Sequence, residues 1–149
     1  MSSMSEELLD KKLPKTMRTY KITKDDTNLI EIAKEVISKN HIENNLISCG
    51  VGSALITSKG KIYKGVNIHS KTSGPTSICA ETSAIAQMVS DGERKIKTIV
   101  ALWVDGKKWD VLPPCGACRH IISQFGDPWV IISKTKKTKL SDLYPLPAK

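Results

Sequence analysis

Two short stretches, Cys79-Ala80-Glu81 and Pro114-Cys115-Gly116-Ala117-Cys118, carry most of the information in this sequence. Three cysteine thiolates can hold a zinc ion and leave the fourth position of its tetrahedron open for water. A glutamate two residues after the first cysteine can exchange protons with that water without binding the metal. We therefore predict a zinc site with Cys79, Cys115 and Cys118 as ligands and Glu81 as the catalytic group. Because the ligands come from two distant stretches, the metal would also tie two parts of the fold together.

The cysteines also allow less specific interpretations. Cys115 and Cys118 alone fit a redox pair or one half of a structural zinc site. A closed structural site needs a fourth ligand, and three residues are available for it: Cys49, His69 and His120. A structural site has no need of a carboxylate at Glu81, so the complete pattern favours a catalytic zinc. Cys49 on its own is typical of a small buried core residue, and we assign it no role.

The charge of the predicted site requires compensation. Three thiolates around Zn²⁺ leave a net negative charge, which weakens the metal as a Lewis acid. Arg119 directly follows Cys118, and the helices predicted to begin near Cys79 and Cys118 carry partial positive charge at their N-termini. We therefore expect Arg119 and the two helix N-termini to balance the charge of the thiolates.

Length and composition are typical of a single-domain intracellular protein. The 149 residues suit one hydrophobic core, and a hydrophobic content of 40% indicates a chain that folds. No apolar run approaches the roughly 20 residues that span a bilayer. Residues 1–24 lack the apolar segment of a signal peptide, and the grouped cysteines favour a metal over disulfides. We expect a cytoplasmic protein with no membrane association.

The chain is basic, with a formal net charge of +8. Its lysines concentrate near the two ends of the sequence: Lys11, Lys12, Lys15, Lys21 and Lys24, then Lys134, Lys136, Lys137 and Lys139. Neither group shows the alternation with aromatic residues that single-strand binders use for stacking. We therefore expect solvated, charged tails and no nucleic-acid partner.

Patterns along the chain predict one domain behind an N-terminal extension. Residues 1–25 are polar and mixed in charge, and we expect a flexible extension there. Residues 26–149 form the single zinc-binding domain. It begins with a helix that Asp26 or Thr27 caps and that runs to about Lys39, with its apolar residues on one face.

The rest of the domain alternates between strands, helices and loops. The predicted elements are a hairpin of Val51–Thr57 and Lys61–Asn67, a polar loop from Ile68 to Ile78, a helix from about Cys79 to Ser90, a strand from Ile96 to Val104, a loop from Gly106 to Pro113, a helix from Cys118 to Phe125, a strand from Trp129 to Ser133, and a short helix or strand over Leu140–Leu143. The strand that begins at Ile96 is apolar enough to be buried on both faces. Helices between strands predict crossover connections and a mixed sheet in a layered α/β or α+β fold.

From Gly52 onward the sequence resembles the cytidine deaminase family, which also contains blasticidin S deaminase. Four blocks carry the resemblance: Val51-Gly52-Ser53-Ala54-Leu55, Gly65-Val66-Asn67-Ile68, Ile78-Cys79-Ala80-Glu81 and Pro114-Cys115-Gly116-Ala117-Cys118-Arg119. Zinc nucleobase deaminases share this kind of ligand set and its glutamate. The resemblance implies a mixed five-stranded sheet flanked by helices, one zinc ion per subunit and a homotetramer.

The resemblance also implies an activity. Cytidine deaminases hydrolyse a free cytosine nucleoside to the uracil nucleoside and ammonia. A cysteine as first ligand resembles the enzymes of free nucleosides, whereas deaminases of DNA, RNA and tRNA usually begin with His-Ala-Glu. Cytidine or deoxycytidine is the first expected substrate, and a modified cytosine nucleoside such as blasticidin S is the second. A zinc-stabilised binding module without catalysis and a nucleic-acid-editing deaminase remain as alternatives.

Four further residues are implied as substrate contacts. In the family the asparagine of the Gly-x-Asn block holds a sugar hydroxyl, and Asn67 matches it. Backbone groups at Ala80 and Pro114 would meet the exocyclic region of the base. His69 stands where the family has a glutamate that also grips the sugar, and Cys49 replaces an aromatic residue. We expect these departures to affect sugar specificity more than the reaction.

Overall fold

The computed structural model describes residues 6–14 and 17–148. The helices are α1 Glu6–Lys12, α2 Lys24–Asn40, α3 Ala80–Ser90, α4 Gly116–Ser123 and α5 Leu140–Leu143, with a 3-10 turn at Gly74–Thr76. The strands are β1 Tyr20–Lys21, β2 Ile42–Glu43, β3 Ile47–Cys49, β4 Val51–Thr57, β5 Ile62–Val66, β6 His69–Ser70, β7 Ile96–Asp105, β8 Lys108–Val111, β9 Trp129–Ile131 and β10 Lys136–Lys139. Lys15 of the N-terminal lysine group and the outermost residues of the predicted extension lie outside the described residues.

A mixed sheet forms the centre of the protein. Its strands follow the order β1-β10-β9-β7-β4-β5, and β8 pairs with the C-terminal half of β7. β7 and β9 are parallel, and the other pairs are antiparallel. This arrangement confirms the predicted mixed sheet of an α/β layered fold. The five adjacent strands β10, β9, β7, β4 and β5 correspond to the five-stranded sheet that the resemblance implies. Two more strands extend this sheet in the described residues: the two-residue β1 and the four-residue β8.

Helices cover both faces of the sheet, so the core has two parts. On one face α2 buries a cluster that contains Leu29, Val100 and Ile131. On the other face α3 and α4 bury a cluster that contains Ile99 and Cys118. Neighbouring residues of β7 thus belong to opposite clusters, which confirms that this strand is buried on both faces.

Helix α2 begins earlier than the sequence analysis predicts. Its N-cap is Thr23, whose Oγ1 accepts from the backbone N–H of Asp26 at 3.3 Å. The carboxylate of Asp26 accepts in return from the backbone N–H of Thr23 at 2.8 Å. This reciprocal pair is a capping box, with aspartate in the place of the usual glutamate. Asp26 is therefore a residue of the first turn, and the predicted cap at Asp26 or Thr27 is wrong.

The segment before residue 26 has more structure than the sequence predicts. It contains α1 and β1, and β1 pairs with β10 through Tyr20↔Lys137. Leu9 on α1 is buried. Elements of seven and two residues are too short to show a reliable hydrophobic period, which is why the sequence did not indicate them. The flexibility of residues 1–25 stays a prediction.

Several other predicted elements differ from the structure, mostly where strands or turns are too short to show a hydrophobic period. The loop expected from Ile68 to Ile78 contains β6 and a 3-10 turn, and the loop expected from Gly106 to Pro113 contains β8. β2, β3 and β6 form a second, three-stranded sheet. Helix α4 begins at Gly116, two residues before the predicted start at Cys118. The last predicted segment, Leu140–Leu143, is a helix.

The C-terminal lysines surround an aromatic side chain, which the sequence analysis missed. β9 and β10 are neighbours, and the ammonium groups of Lys137 and Lys139 lie 4.8 and 4.6 Å from the ring centre of Trp129. Lys137 also binds the buried carboxylate of Asp26 at 2.7 Å. Lys137 and Lys139 therefore contact side chains of the protein itself. These contacts do not test nucleic-acid binding, and the expected absence of a nucleic-acid partner stays a prediction. Among the described helices none has both the length and the apolar character of a membrane span.

A glycine lets the hairpin approach the helix that carries two predicted site residues. A Cβ atom at Gly65 on β5 would lie 2.6 Å from the backbone nitrogen of Ala84 and 2.6 Å from Oγ of Ser83. Both neighbours belong to the first turns of α3. Real Cβ atoms do not tolerate such distances, so only glycine fits where β5 crosses α3. Gly65 therefore sets the position of the N-terminus of α3.

Replacement of Gly65 by alanine should separate α3 from β5. Overpacking of a core costs about 1–3 kcal/mol, and we expect a loss of that size in the free energy of unfolding, measured by urea denaturation. Gly50→Ala is the matched control, because no atom lies within 4 Å of a Cβ atom at Gly50. Equal stability of the two variants would contradict the assigned role of Gly65.

Candidate active site

The N-termini of α3 and α4 meet at the three predicted ligands. Cys79 is the N-cap of α3, Cys115 is the N-cap of α4, and Cys118 lies in the first turn of α4. Their sulfur atoms all lie within 4.8 Å of one another. Zn–S bonds of about 2.3 Å in a tetrahedron place sulfur atoms roughly 3.8 Å apart, so a small inward movement of the side chains suffices to hold the ion. The three residues therefore fit a zinc ion.

The described residues supply no fourth ligand to this cluster. No other histidine, cysteine, aspartate or glutamate places a ligand atom within the same distance of the three sulfur atoms. Cys49 is buried in β3, and Nδ1 of His120 lies 3.0 Å from the hydroxyl of Tyr144. His69 lies in β6, opposite Ser48. The geometry thus favours a site with an open fourth position over a closed structural site.

The thiols titrate differently because their surroundings differ. Burial raises the pKa of Cys79 and of Cys118, and the negative charge of Glu81 raises the pKa of Cys118 further. Burial also acts on Cys115, but the N–H groups of Cys118 and Ala117 and the neighbouring thiols stabilise its thiolate, and its pKa is lowered. A dication among the sulfur atoms would deprotonate all three, because a coordinating thiol loses its proton outright.

Glu81 lies in the first turn of α3, beside the sulfur cluster. Its side chain is buried, with 6% of the residue exposed. Burial raises the pKa of its carboxyl, although hydrogen bonds with its own backbone N–H and with Cys118 partly oppose the shift. A raised pKa makes a carboxylate a stronger base toward a neighbouring water. The structure therefore places Glu81 beside the sulfur cluster as a candidate acid–base group.

A cavity of about 320 Å³ opens onto the cluster. It contains most of the predicted site residues in its wall: Asn67, His69, Cys79, Ala80, Glu81, Cys115 and Cys118. Seven further lining residues were not predicted: Val51, Ile68, Ser77, Ile78, Ala101, Leu112 and Pro113. Most of these are apolar, and although Val51, Ile68 and Ile78 lie in the blocks that carry the resemblance, their residue types are those of ordinary core positions. Only the pairing of β4 with β7 and the bridge between Ile68 and Ile78 bring them to the cavity.

Asn67 is held by the backbone of the neighbouring strand. Its Oδ1 accepts from the N–H groups of Gly50 at 3.0 Å and Val51 at 2.9 Å. The amide oxygen is thereby occupied, and the amide NH₂ remains as the donor at the cavity wall. This orientation suits a contact with an acceptor oxygen of a ligand.

Pro114 and Arg119 lie behind the cavity wall. Nε of Arg119 donates to the carbonyl of Pro114 at 2.8 Å, and a terminal nitrogen of its guanidinium donates to the carbonyl of Leu143 at 3.0 Å. Pro113, not Pro114, lines the cavity beside the cluster. The contact of Pro114 with a base and the charge-balancing role of Arg119 stay predictions. The structure adds that Arg119 fixes the zinc loop, residues 113–118, to the end of α5.

Comparisons with known proteins agree with this geometry. Residues 23–134 match the family model for the cytidine and deoxycytidylate deaminase zinc-binding region. The chain is also 36% identical over 140 residues to blasticidin-S deaminase of Bacillus cereus, which covers 87% of this chain and 96% of that protein. The chain belongs to the cytidine deaminase family. This membership confirms the predicted resemblance and the enzyme class, a hydrolase that acts on a C–N bond of a cyclic amidine.

Other members of the family match over a shorter part of the chain or at lower sequence identity. A cytidine deaminase of Sporosarcina psychrophila is 43% identical over 75 residues, which cover 50% of this chain and 52% of that protein. The crystal structure of a cytidine deaminase from Burkholderia pseudomallei superimposes with a TM-score of 0.68 at 27% identity, over 85% of this chain and 100% of that one. The enzyme from Mycobacterium leprae gives 0.66 at 26% identity, over 83% and 99%. The fold is thus that of the family.

Removal of one ligand should abolish zinc binding. Cys115→Ala leaves two thiolates, and we expect the purified variant to lose the metal and to melt at a lower temperature, because metal binding and folding are coupled. Cys49→Ala is the control, since Cys49 is a buried cysteine outside the cluster. Metal content by atomic emission checks both variants. Full zinc occupancy in Cys115→Ala would refute the ligand assignment.

Proposed function

We propose that this protein is a zinc-dependent deaminase that hydrolyses a free cytosine nucleoside to the uracil nucleoside and ammonia. The observation that carries the proposal is the meeting of three cysteine sulfur atoms with a buried glutamate in the wall of one cavity. Cys79, Cys115 and Cys118 would hold one zinc ion per chain. When bound, zinc supplies Lewis acidity, which lowers the pKa of water and so provides a nucleophile near neutral pH.

Glu81 moves the protons of the reaction. Its carboxylate would take a proton from the attacking water and deliver it to the ring nitrogen of the base. It would then take the remaining proton from the hydroxyl group of the tetrahedral adduct and deliver it to the amino group, which leaves as ammonia while the carbonyl forms. Burial raises the pKa of Glu81, which makes its carboxylate a stronger base toward the attacking water. The apolar side chains of Val51, Ala101 and Leu112 line the same cavity and exclude bulk water from the reacting atoms.

Two candidate substrates are supported by different observations. The match to cytidine deaminases and the orientation of Asn67 support cytidine or deoxycytidine, whose sugar oxygens can accept from the Asn67 amide. Blasticidin S is the second candidate, because the match to Bacillus cereus blasticidin-S deaminase spans nearly the whole of that protein. Both contain a cytosine ring, so the zinc chemistry is the same for either. The difference lies in the sugar, where His69 stands.

Self-association fits the surface next to the cavity. Four large apolar side chains are exposed around β2, β3 and the cavity mouth: Ile42, Leu46, Ile68 and Ile78, with exposures of 40%, 63%, 39% and 40%. An apolar group of this kind is typical of a protein–protein interface. This surface supports the homotetramer as part of the proposal. The cytoplasmic location is proposed on the sequence alone, from the grouped cysteines and the polar N-terminal residues.

The first test concerns Glu81. Glu81→Gln keeps the shape of the side chain but cannot carry a proton, so the variant should fold, bind zinc and lose turnover. One acid–base group contributes about 10²–10⁴-fold, and we expect a larger loss because the same carboxyl serves several transfers. Ammonia release and metal content are measured together. A variant with full zinc and a rate close to that of the wild type would remove Glu81 from the mechanism.

The second test concerns His69 and the sugar. A neutral imidazole accepts one hydrogen bond, whereas a carboxylate accepts bonds that are about twice as strong. We therefore expect the wild type to tolerate altered sugars, and His69→Glu to lower KM for cytidine while kcat changes little. The kcat/KM values for cytidine, deoxycytidine and blasticidin S are compared in both proteins. A strong preference of the wild type for cytidine, with no gain in the variant, would contradict this role for His69.

A further inference from the structure

The polypeptide before residue 23 lies outside the matched family region, yet it packs beside the zinc loop. We define the N-terminal arm as residues 6–14 and 17–22, the described part of this segment. The arm includes α1 and β1. Neither element contributes to the cavity of the active site.

Polar contacts attach the arm to the edge of the sheet. The carboxylate of Glu6 accepts from the hydroxyl of Thr135 at 3.0 Å and from the hydroxyl of Ser133 at 3.3 Å. The buried hydroxyl of Thr138 donates to the backbone carbonyl of Arg18 at 2.7 Å. Together with the pairing of β1 and β10, these contacts fix both ends of the arm to β10 and to the turn that precedes it.

Apolar contacts connect the arm to a zinc ligand. Leu13 and Met17 pack against the hydrophobic cluster that contains Cys118 and Ile122, two buried residues of α4. Cys118 is 1% exposed. The arm thus adds two apolar side chains to the cluster in which the third sulfur atom is buried.

The arm also covers the outer side of the zinc loop. Leu9 and Leu13 of the arm, Pro113 of the loop and Arg119 line one cavity of about 280 Å³. Arg119 is the residue that bonds the loop to Leu143. If Pro113 and the rest of the zinc loop moved away from the sulfur cluster, they would move into this cavity and toward the arm on its far side.

We propose that the N-terminal arm is a positioning element that holds the Cys115–Cys118 turn closed and so slows the loss of zinc. The proposal rests on the ligand assignment of the proposed function. Zinc leaves a three-cysteine site only after a ligand moves away, and the packing of Leu9 and Leu13 opposes that movement. The arm acts through the hydrophobic cluster that it shares with Cys118, and it lines no part of the cavity at the sulfur cluster.

The test measures zinc release from the zinc-loaded full chain into a chelator with an optical signal, at a temperature well below unfolding. The variant combines Leu9→Ala with Leu13→Ala, and Leu13→Ala alone serves if the pair prevents folding. Leu8→Ala is the control on the same helix, where Leu8 is 43% exposed. Leu29→Ala is the control for general destabilisation, because Leu29 is buried in the cluster on the opposite face of the sheet.

The arm variant should release zinc several-fold faster than the wild type, with zinc content of the starting protein unchanged. Leu8→Ala and Leu29→Ala should release zinc at the wild-type rate, even though Leu29→Ala lowers the melting temperature. Equal release from the arm variant and the wild type would overturn the proposal, as would an equal acceleration by Leu29→Ala. A wild type that holds no zinc would overturn the proposed function as well, so the two failures are distinguishable.

Discussion

The N-termini of α3 and α4 meet on one face of the sheet, and the sulfur cluster with its neighbouring glutamate depends on that meeting. Sulfur atoms from both helices come within 4.8 Å of one another. The approach of α3 depends on Gly65, where a side chain would collide with the backbone of the helix. The approach of α4 depends on the hydrophobic cluster that contains Cys118 and Ile122. Two helices packed on the same strands can bring their first turns together without any covalent link between them.

This arrangement concentrates acidic groups in a small, partly buried volume. Burial raises the pKa of Glu81 and of Cys118, and the negative charge of Glu81 raises the pKa of Cys118 further. The pKa of Cys115 is lowered instead, because neighbouring N–H groups and thiols stabilise its thiolate. Two helix N-termini supply partial positive charge, and a dication would supply the rest. In the described contacts the guanidinium of Arg119 donates to two backbone carbonyls and to no carboxylate. Its hydrogen bonds therefore hold the loop, and its positive charge is not neutralised by them. A positioning role and a charge-balancing role are therefore compatible for this residue.

The sequence predicted the chemistry of the site better than its surroundings. Metal ligands and an acid–base group require particular residue types at fixed spacing, which is why Cys79, Glu81, Cys115 and Cys118 were identifiable and why the structure brings them together. β7 was predictable for a different reason, since a strand whose middle residues are buried on both faces leaves a long apolar run. Two-residue strands such as β1 and β6 leave no such pattern. Apolar wall residues such as Ala101 become part of the cavity only through strand pairing, which a single sequence does not reveal.

The parts of the cavity that carry chemistry and specificity lie on elements of unequal rigidity. The zinc ligands and Glu81 lie on helices packed against the large sheet, where a displaced side chain disturbs a close-packed core. His69 lies on the small sheet of β2, β3 and β6, whose strands have two or three residues each. Most residues of those strands are exposed or half-buried, so a substitution there meets few packed neighbours. A substitution in this wall can therefore alter the cavity while the packed helices keep the sulfur cluster in place. Such a separation is compatible with a family in which this chain is similar both to cytidine deaminases and to a blasticidin-S deaminase.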